Sequence, residues 1–299
     1  MLALADNETV TRMVTNNRLS RDLAFRFVAG ENFDESLSAS HNLLNAGMTL
    51  TLDLLGENVT DPDLARQSAE EYCTILDRIA ETGTNSTISV KLTMLGLDIS
   101  QEFAHDLMIQ VLDRARLHNN FVRIDMESSA HTQRTLDIFY DLHKTYGDTV
   151  GIVLQSYLYR NDRDVEDAIE HGAKVRLVKG AYAEPETHAY PRKDDVDAAF
   201  RRQMERLLDD GNYPAIATQD DAIIDVAKGY AMRMGIDKSR FEFQFMFGIR
   251  ENLQYQLVNE GYNMRVYVPY GEMWYPYFMR RMGERPANML FALRNIVRS

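Results

Sequence analysis

The chain has 299 residues, 45% of them apolar and 26% charged, with a formal net charge of −12 and a single cysteine, Cys73. That length holds one barrel-sized domain or two smaller ones, and an acidic balance without a Lys/Arg block argues against a nucleic-acid partner. One cysteine excludes an intramolecular disulfide and fits a reducing compartment.

Asp6 and Glu8 interrupt the N-terminus before an apolar run develops, so no secretory signal is expected there. No stretch approaches the roughly 18 uncharged apolar residues of a membrane span. A cytoplasmic location is expected, and composition leaves peripheral contact with the inner face of a membrane open. Residues 1–45 read as a helical arm anchored by Leu23, Phe25, Phe27 and Val28, interrupted at Gly30 and Asn32 before a short helix over 33–45. Eight β-rich runs follow, at 48–55, 88–93, 121–126, 150–155, 174–178, 215–218, 241–247 and 265–268.

Between these runs lie helical stretches with start signals. Asp61-Pro62 opens the first, Ser100 the second, Ser128-Ser129 the third and Asp162 the fourth; Asp194-Asp195, Asp220-Asp221 and Glu251 open the next three. Small polar and acidic residues at these points suit N-caps and the positive end of the helix dipole. A break at Pro269 and Gly271 leads into a last, aromatic-rich helix from about 274 to 296. Strict alternation of strand and helix implies a parallel sheet with right-handed crossovers, and eight repeats fit a (β/α)₈ barrel. The α/β chain is therefore expected to form one barrel over 46–299 behind an N-terminal arm over 1–45.

A barrel places its active site at the C-terminal ends of its strands, and strands buried on both faces tolerate polar residues only with a partner or a purpose. Here Lys91 belongs to the second run, Arg123, Asp125 and Glu127 to the third, and Gln155 ends the fourth. Arg176 and Lys179, with Gly180 behind them, belong to the fifth; Thr218-Gln219 ends the sixth; Glu242 and Gln244 lie in the seventh and Tyr267 in the eighth. Any one of these suits a satisfied core ion pair. So many around one mouth point to a site, because each buried charge costs several kcal/mol unless paired.

Lys91, Arg176, Lys179, Arg280 and Arg281 outnumber Asp125, Glu242 and Glu284, so the mouth is expected to attract anions. Arg280 and Arg281, with Glu284 to hold them, suit a clamp for a carboxylate or phosphate; the plainer alternative is a solvated basic helix edge. Tyr267, Tyr270, Trp274, Tyr275, Tyr277 and Phe278 offer walls for a compact apolar body, although aromatics at helical spacing are more often core. Gly180-Ala181 would let backbone approach a flat ring or pyrophosphate, or simply turn the chain. No HExxH or Cys/His ligand spacing points to zinc. The rival readings are a metal-dependent lyase or hydrolase of small carboxylates using Asp125, Glu127 and Glu242, and a barrel that binds an anion without chemistry. The residues alone give a barrel enzyme for a ligand with a carboxylate and an apolar body, and leave the reaction open.

The strings SVKLTMLGLDIS (89–100), RIDME (123–127), VLQSYLYR (153–160), VRLVKGAY (175–182), FEFQFMFGIR (241–250) and RVYVPYGEMWYPYFMRRMGE (265–284) resemble the proline dehydrogenase family in order along nearly the whole chain. The family resemblance implies a distorted (β/α)₈ barrel that holds FAD and oxidises L-proline to Δ1-pyrroline-5-carboxylate, by hydride transfer to flavin N5. It further implies a quinone as electron acceptor and a separate pyrroline-5-carboxylate dehydrogenase as a partner. By the same resemblance Lys91, Arg280 and Arg281 grip the proline carboxylate, and Glu284 belongs to that clamp. Asp125 pairs with the lysine. Leu177, Tyr182, Met246, Tyr267 and Tyr277 wall the pyrrolidine ring. Arg176 lies near flavin N5, and Met126, Gln155, Val178, Lys179, Gly180, Thr218 and Gln219 contact the cofactor. The chain departs from the family at Gln219, where many relatives have His, and at Arg285-Pro286, where bifunctional relatives have Asn-Gly.

Overall fold

The computed structural model describes Arg21 and residues 24–284, with the backbone alone for 280–284. Eight parallel strands close into a barrel in chain order: β1 (Thr49–Leu54), β2 (Ser86–Val90), β3 (Val122–Ile124), β4 (Val150–Gln155), β5 (Lys174–Val178), β6 (Ala215–Ala217), β7 (Glu242–Met246) and β8 (Asn263–Tyr270). Closure runs through β8 against β1, in register from Thr49↔Arg265 to Leu54↔Tyr270. Helix α1 (Phe33–Asn45) precedes the barrel, and α2 (Pro62–Thr82), α3 (Gln101–Leu117), α4 (Ser129–Tyr146), α5 (Asn161–Glu170), α6 (Lys193–Asp210), α7 (Asp221–Met234) and α8 (Glu251–Asn259) lie between strands. Helix α9 (Trp274–Glu284) follows β8. The expected alternation and the expected barrel are both present.

Several of the predicted starts are caps in fact. Asp61 accepts from the amides of Asp63 and Leu64 ahead of Pro62, Ser100 from Phe103 and Asp220 from Ala222, each satisfying an orphan donor of the first turn. Ser128 stands at the cap position of α4 without that bond; its hydroxyl meets His131 Nδ1 at 2.9 Å, and the carboxylate of Glu184 takes the amide of Ser129 instead. Helix α5 begins at Asn161, so Asp162 lies inside its first turn. Strand β8 runs through Pro269 to Tyr270, beyond the expected break. Proline needs no amide partner there, and its carbonyl accepts from Ala29 while Gly271, at φ 130°, makes the turn.

Alternation along each strand sorts the side chains. Leu50, Leu52 and Leu54 of β1, Val122 and Ile124 of β3, Val175 and Leu177 of β5, and Met264, Val266 and Val268 of β8 all belong to the main apolar core between strands and helices. Their neighbours face the barrel interior, and there the chain is polar: Asp53, Ser89, Arg123, Arg176, Glu242 and Gln244 are all buried. Most barrels fill this space with branched apolar residues.

The first described residues of the expected arm pack on the last helix, while Ala29, Phe33 and Leu43 join the main core. Ala24 and Val28 form a second apolar cluster with Leu55, Trp274, Tyr275, Tyr277 and Phe278, and Trp274 Nε1 donates to Glu31 across 3.1 Å. Residues 1–20, Leu23 and the stretch from 285 to 296 predicted as helix lie outside the described residues.

Candidate functional site

Four charged residues, Asp53, Lys91, Asp125 and Arg176, assemble at the C-terminal half of the barrel. Lys91, just past β2, donates to Asp53 of β1 across 2.5 Å and stands 3.6 Å from Asp125, just past β3. Asp125 Oδ1 accepts from the Ser89 hydroxyl at 3.0 Å and from Arg176 at 2.8 Å, and its Oδ2 accepts from the Tyr267 hydroxyl at 2.8 Å. Arg176 Nε donates to Gln244 Oε1 across 2.5 Å, and its guanidinium lies 5.1 Å from the centre of the Tyr267 ring. Two cations therefore meet two carboxylates; Asp125 and Arg176 are each bonded several times over, while Asp53 is held through Lys91 and its Oδ2 has no hydrogen-bond partner among the described residues.

Burial alone would depress the Lys91 ammonium, but Asp53 and then Asp125 more than offset it, so the group is held charged. Burial, then the Asp125 carboxylate, drives the Tyr267 phenol well above its ordinary range, which keeps it a donor.

Above this floor opens a cavity of about 290 Å³. Lys91, Asp125, Arg176 and Tyr267 line it from below; Met126, Gln155, Val178 and Lys179 line one wall; Gly180, Tyr182, Thr218, Gln219, Met246 and Tyr277 complete the predicted set. Each wall residue is set by local structure. Gln155 donates its side-chain amide to the Glu127 carbonyl at 2.7 Å. Glu127 itself accepts from the amide and hydroxyl of Thr93, tying the loops after β2 and β3 together, and burial raises its carboxyl against those donors. Lys179 is held between Asp197, at 2.5 Å, and Asp220, at 2.9 Å. Gly180 combines φ of +119° with a position where a Cβ would fall 2.4 Å from the Tyr157 ring, so no larger residue fits.

Not every expected residue reaches the cavity. Leu177 is fully buried in the main apolar core, because strand alternation points it outward when Arg176 points in. Glu242 does not belong to the mouth either; it pairs with Arg265 at 2.9 Å toward the opposite, N-terminal end of the barrel, and Arg123 lies in that same lower layer. Asp125, Glu127 and Glu242, weighed above as a metal site, are thus not brought together. Of the aromatic cluster, Tyr277 lines the cavity while Trp274, Tyr275 and Phe278 pack the second apolar cluster and Tyr270 the main one. The side chains of Arg280, Arg281 and Glu284 lie outside the described residues.

Sequence reasoning missed Asp53, along with the lining residues Ala217 and Phe245. The signal for Asp53 was present: it is a carboxylate in the otherwise apolar run Leu52-Asp53-Leu54.

Comparison with known proteins agrees with this architecture. The family model described as proline dehydrogenase matches residues 36–294. Proline dehydrogenase 2 of Bacillus subtilis (strain 168) is 44% identical over 279 residues, covering 93% of this chain and 92% of that protein. Proline dehydrogenase 1 of the same strain is 40% identical over 299 residues, covering 99% and 98%. Among solved structures, proline utilization A from Bdellovibrio bacteriovorus, inactivated by N-propargylglycine, superposes with a TM-score of 0.83 at 26% identity; the match takes 92% of this chain and 33% of that longer one.

Proposed function

This chain belongs to the proline dehydrogenase family, and on that premise we propose that it oxidises L-proline to Δ1-pyrroline-5-carboxylate with FAD as the resident cofactor. Membership makes it an oxidoreductase of proline catabolism; the cofactor, the product and the hydride path are the reading developed here. The observation that carries the reading is the charge-balanced floor of Lys91, Asp53, Asp125 and Arg176 beneath a cavity walled by Tyr267, Tyr277, Tyr182 and Met246.

The residues present fit a flavin. One wall offers the Gln155 amide, the Arg176 cation and apolar Met126 and Val178, and the Gly180-Ala181 and Ala217 positions leave backbone nearly bare. Lys179, Thr218 and Gln219 continue that wall toward its edge. In this reading Met126, Gln155, Arg176, Val178, Lys179, Gly180, Thr218 and Gln219 hold FAD, which supplies a two-electron acceptor for hydride.

The chain's own residues do the rest. Lys91, with Arg280 and Arg281 and with Glu284 steadying them, grips the proline carboxylate and so fixes the ring as a near-attack conformer. Tyr267, Tyr277, Tyr182 and Met246 enclose the pyrrolidine ring and exclude water. Asp125 holds Lys91, Arg176 and Tyr267 in one arrangement, and Arg176 places positive charge where electron density accumulates. The oxidation removes a hydride from C5 and a proton from the amine, leaving the C=N bond of the product.

Electrons pass on to a quinone in this reading, with peripheral contact between a cytoplasmic protein and the membrane, and a separate pyrroline-5-carboxylate dehydrogenase takes the product. No helix among the described residues is long and apolar enough to cross a membrane.

The deciding experiment is the visible spectrum of the purified protein before and after L-proline is added without oxygen. Flavin bands that bleach on addition support the whole assignment. Bands that persist would keep the cofactor and remove the substrate, and a protein colourless even after incubation with FAD would remove both. The inactivation of the Bdellovibrio bacteriovorus protein by N-propargylglycine suggests a second probe, expected to abolish turnover here irreversibly.

A further inference from the structure

A second cavity, of about 140 Å³, lies inside the barrel at the N-terminal ends of the strands. Arg176 and Gln244 line both cavities and so divide the interior. The lower one is lined chiefly by charge: Arg123, Lys174 and Arg265 against Glu242.

Arg123 is its least satisfied member. The side chain is 4% exposed, and NH1 donates to the carbonyls of Ile152, at 3.2 Å, and Lys174, at 2.5 Å. The guanidinium also lies over Phe121, 4.7 Å from the ring centre. Its Nε has no partner among the described residues, and no carboxylate there forms an ion pair with it. Glu242 is already committed, accepting from Arg265 at 2.9 Å, from Gln244 at 2.5 Å and from the Tyr213 hydroxyl at 3.3 Å. Lys174 has Asp148 at 3.4 Å, and Arg176 has Asp125. One guanidinium is left in excess.

The fold nevertheless makes room for it. Gly151 of β4 sits in register with Arg123, and a Cβ on that glycine would fall 2.6 Å from the guanidinium. Burial, then the nearby Arg176, pulls the Arg123 guanidinium well below its ordinary range, the mark of a cation without compensation. The two carbonyls that accept from the guanidinium leave its charge unanswered, since a buried charge needs a counter-charge as well as hydrogen bonds.

We propose that the cavity at the N-terminal end of the barrel binds a small inorganic anion, of the size of chloride or phosphate, against the Arg123 guanidinium. Lys174 at the cavity edge adds attraction on entry. The site is separate from the mouth and does not depend on the reaction assigned there.

The test compares melting temperatures of the full chain in sodium gluconate, chloride, bromide and phosphate at matched ionic strength. A saturable rise of about 3 °C is expected at ten times the dissociation constant of the bound anion. Arg123→Gln should abolish the rise, and Lys174→Gln should weaken the apparent affinity about threefold, the worth of one partly exposed charge. Should Arg123→Gln fail to fold, bromide soaked into crystals of the unaltered protein decides, with an anomalous peak expected beside Arg123. Saturation by chloride alone or by phosphate alone identifies the occupant. Identical melting in all four salts, an undiminished response in Arg123→Gln, or bromide found only on the outer surface would overturn the proposal.

Discussion

The Lys91 ammonium lies 2.5 Å from the Asp53 carboxylate, on the strand next to its own, with Asp125 3.6 Å away on the other side. One cation thus separates two buried anions. Lys91→Met leaves Asp53 uncompensated, while Asp125 keeps Arg176, and is expected to cost about 3–5 kcal/mol, the usual penalty for removing one partner of a buried pair. Adding Asp53→Asn removes one stranded charge and should restore about 1–2 kcal/mol, a coupling visible in a double-mutant cycle of urea midpoints. Strict additivity of the two substitutions would show that Asp53 and Lys91 do not act as a pair.

Tyr267 touches the same network twice, through its hydroxyl on Asp125 and its ring beside Arg176. Tyr267→Phe keeps the ring and deletes a hydrogen bond to a charged group, worth about 2 kcal/mol. Purified Tyr267→Phe should retain the flavin proposed above, because the wall formed by Gln155, Val178 and Lys179 is untouched. Asp125, however, loses one of its fixed donors, and with it the anchor of both Lys91 and Arg176. A fall of about tenfold in kcat/KM for L-proline is expected; loss of flavin together with activity would instead make Tyr267 a cofactor-binding residue.

At the other end of the barrel, Glu242 gives the acid limb of the stability curve. Burial alone would raise its carboxyl, but Arg265 and the Gln244 amide outweigh burial and set it below its ordinary value of 4.5. A carboxyl depressed by folding stabilises the protein fully above the unfolded value and loses that contribution as pH falls through the folded one. Glu242→Gln should therefore be less stable by about 3–5 kcal/mol at pH 7, where it strands Arg265. Below pH 4.5 the difference should shrink, because protonation brings the unaltered protein to the same state. Urea midpoints measured for both proteins at pH 7, 5, 4 and 3 check this, and a gap that stays constant with pH would remove Glu242 from the titrating set.

The barrel was legible because its signals are local and repeated. Asp61, Ser100 and Asp220 cap the helices they were expected to open, and runs such as Val150–Gln155 are buried throughout. The floor of the mouth was legible for a related reason: Lys91, Asp125 and Arg176 stand out against apolar strand neighbours. Which end of the barrel a polar residue serves was harder to read, because alternation fixes the face and not the height. Arg123 and Asp125 share one face of the third run, yet Arg123 lies in the lower cavity and Asp125 in the upper. Likeness to a family motif puts Leu177 at the pocket, whereas strand alternation assigns it to the outer core beside inward Arg176, where it lies. Asp53 carried the same signal as Lys91 and belongs to the first strand, whose polar residues were not weighed.

The charge balance of the floor bears on how a carboxylate is held. Lys91 and Arg176 are matched by Asp53 and Asp125, and Lys179 is matched by Asp197 and Asp220. None of these cations brings uncompensated charge to the cavity, so Lys91 alone cannot supply the grip on an amino-acid carboxylate. In the proposed function the excess is assigned to Arg280 and Arg281, on the helix whose Tyr277 already lines the space. Arg281→Met is therefore expected to raise KM for L-proline by about 10–100-fold, the worth of a charge-assisted bond, with flavin content unaltered. Steady-state kinetics beside the flavin-to-protein absorbance ratio separates the two effects. An unchanged KM would take Arg281 out of the clamp and shift the burden to Arg280.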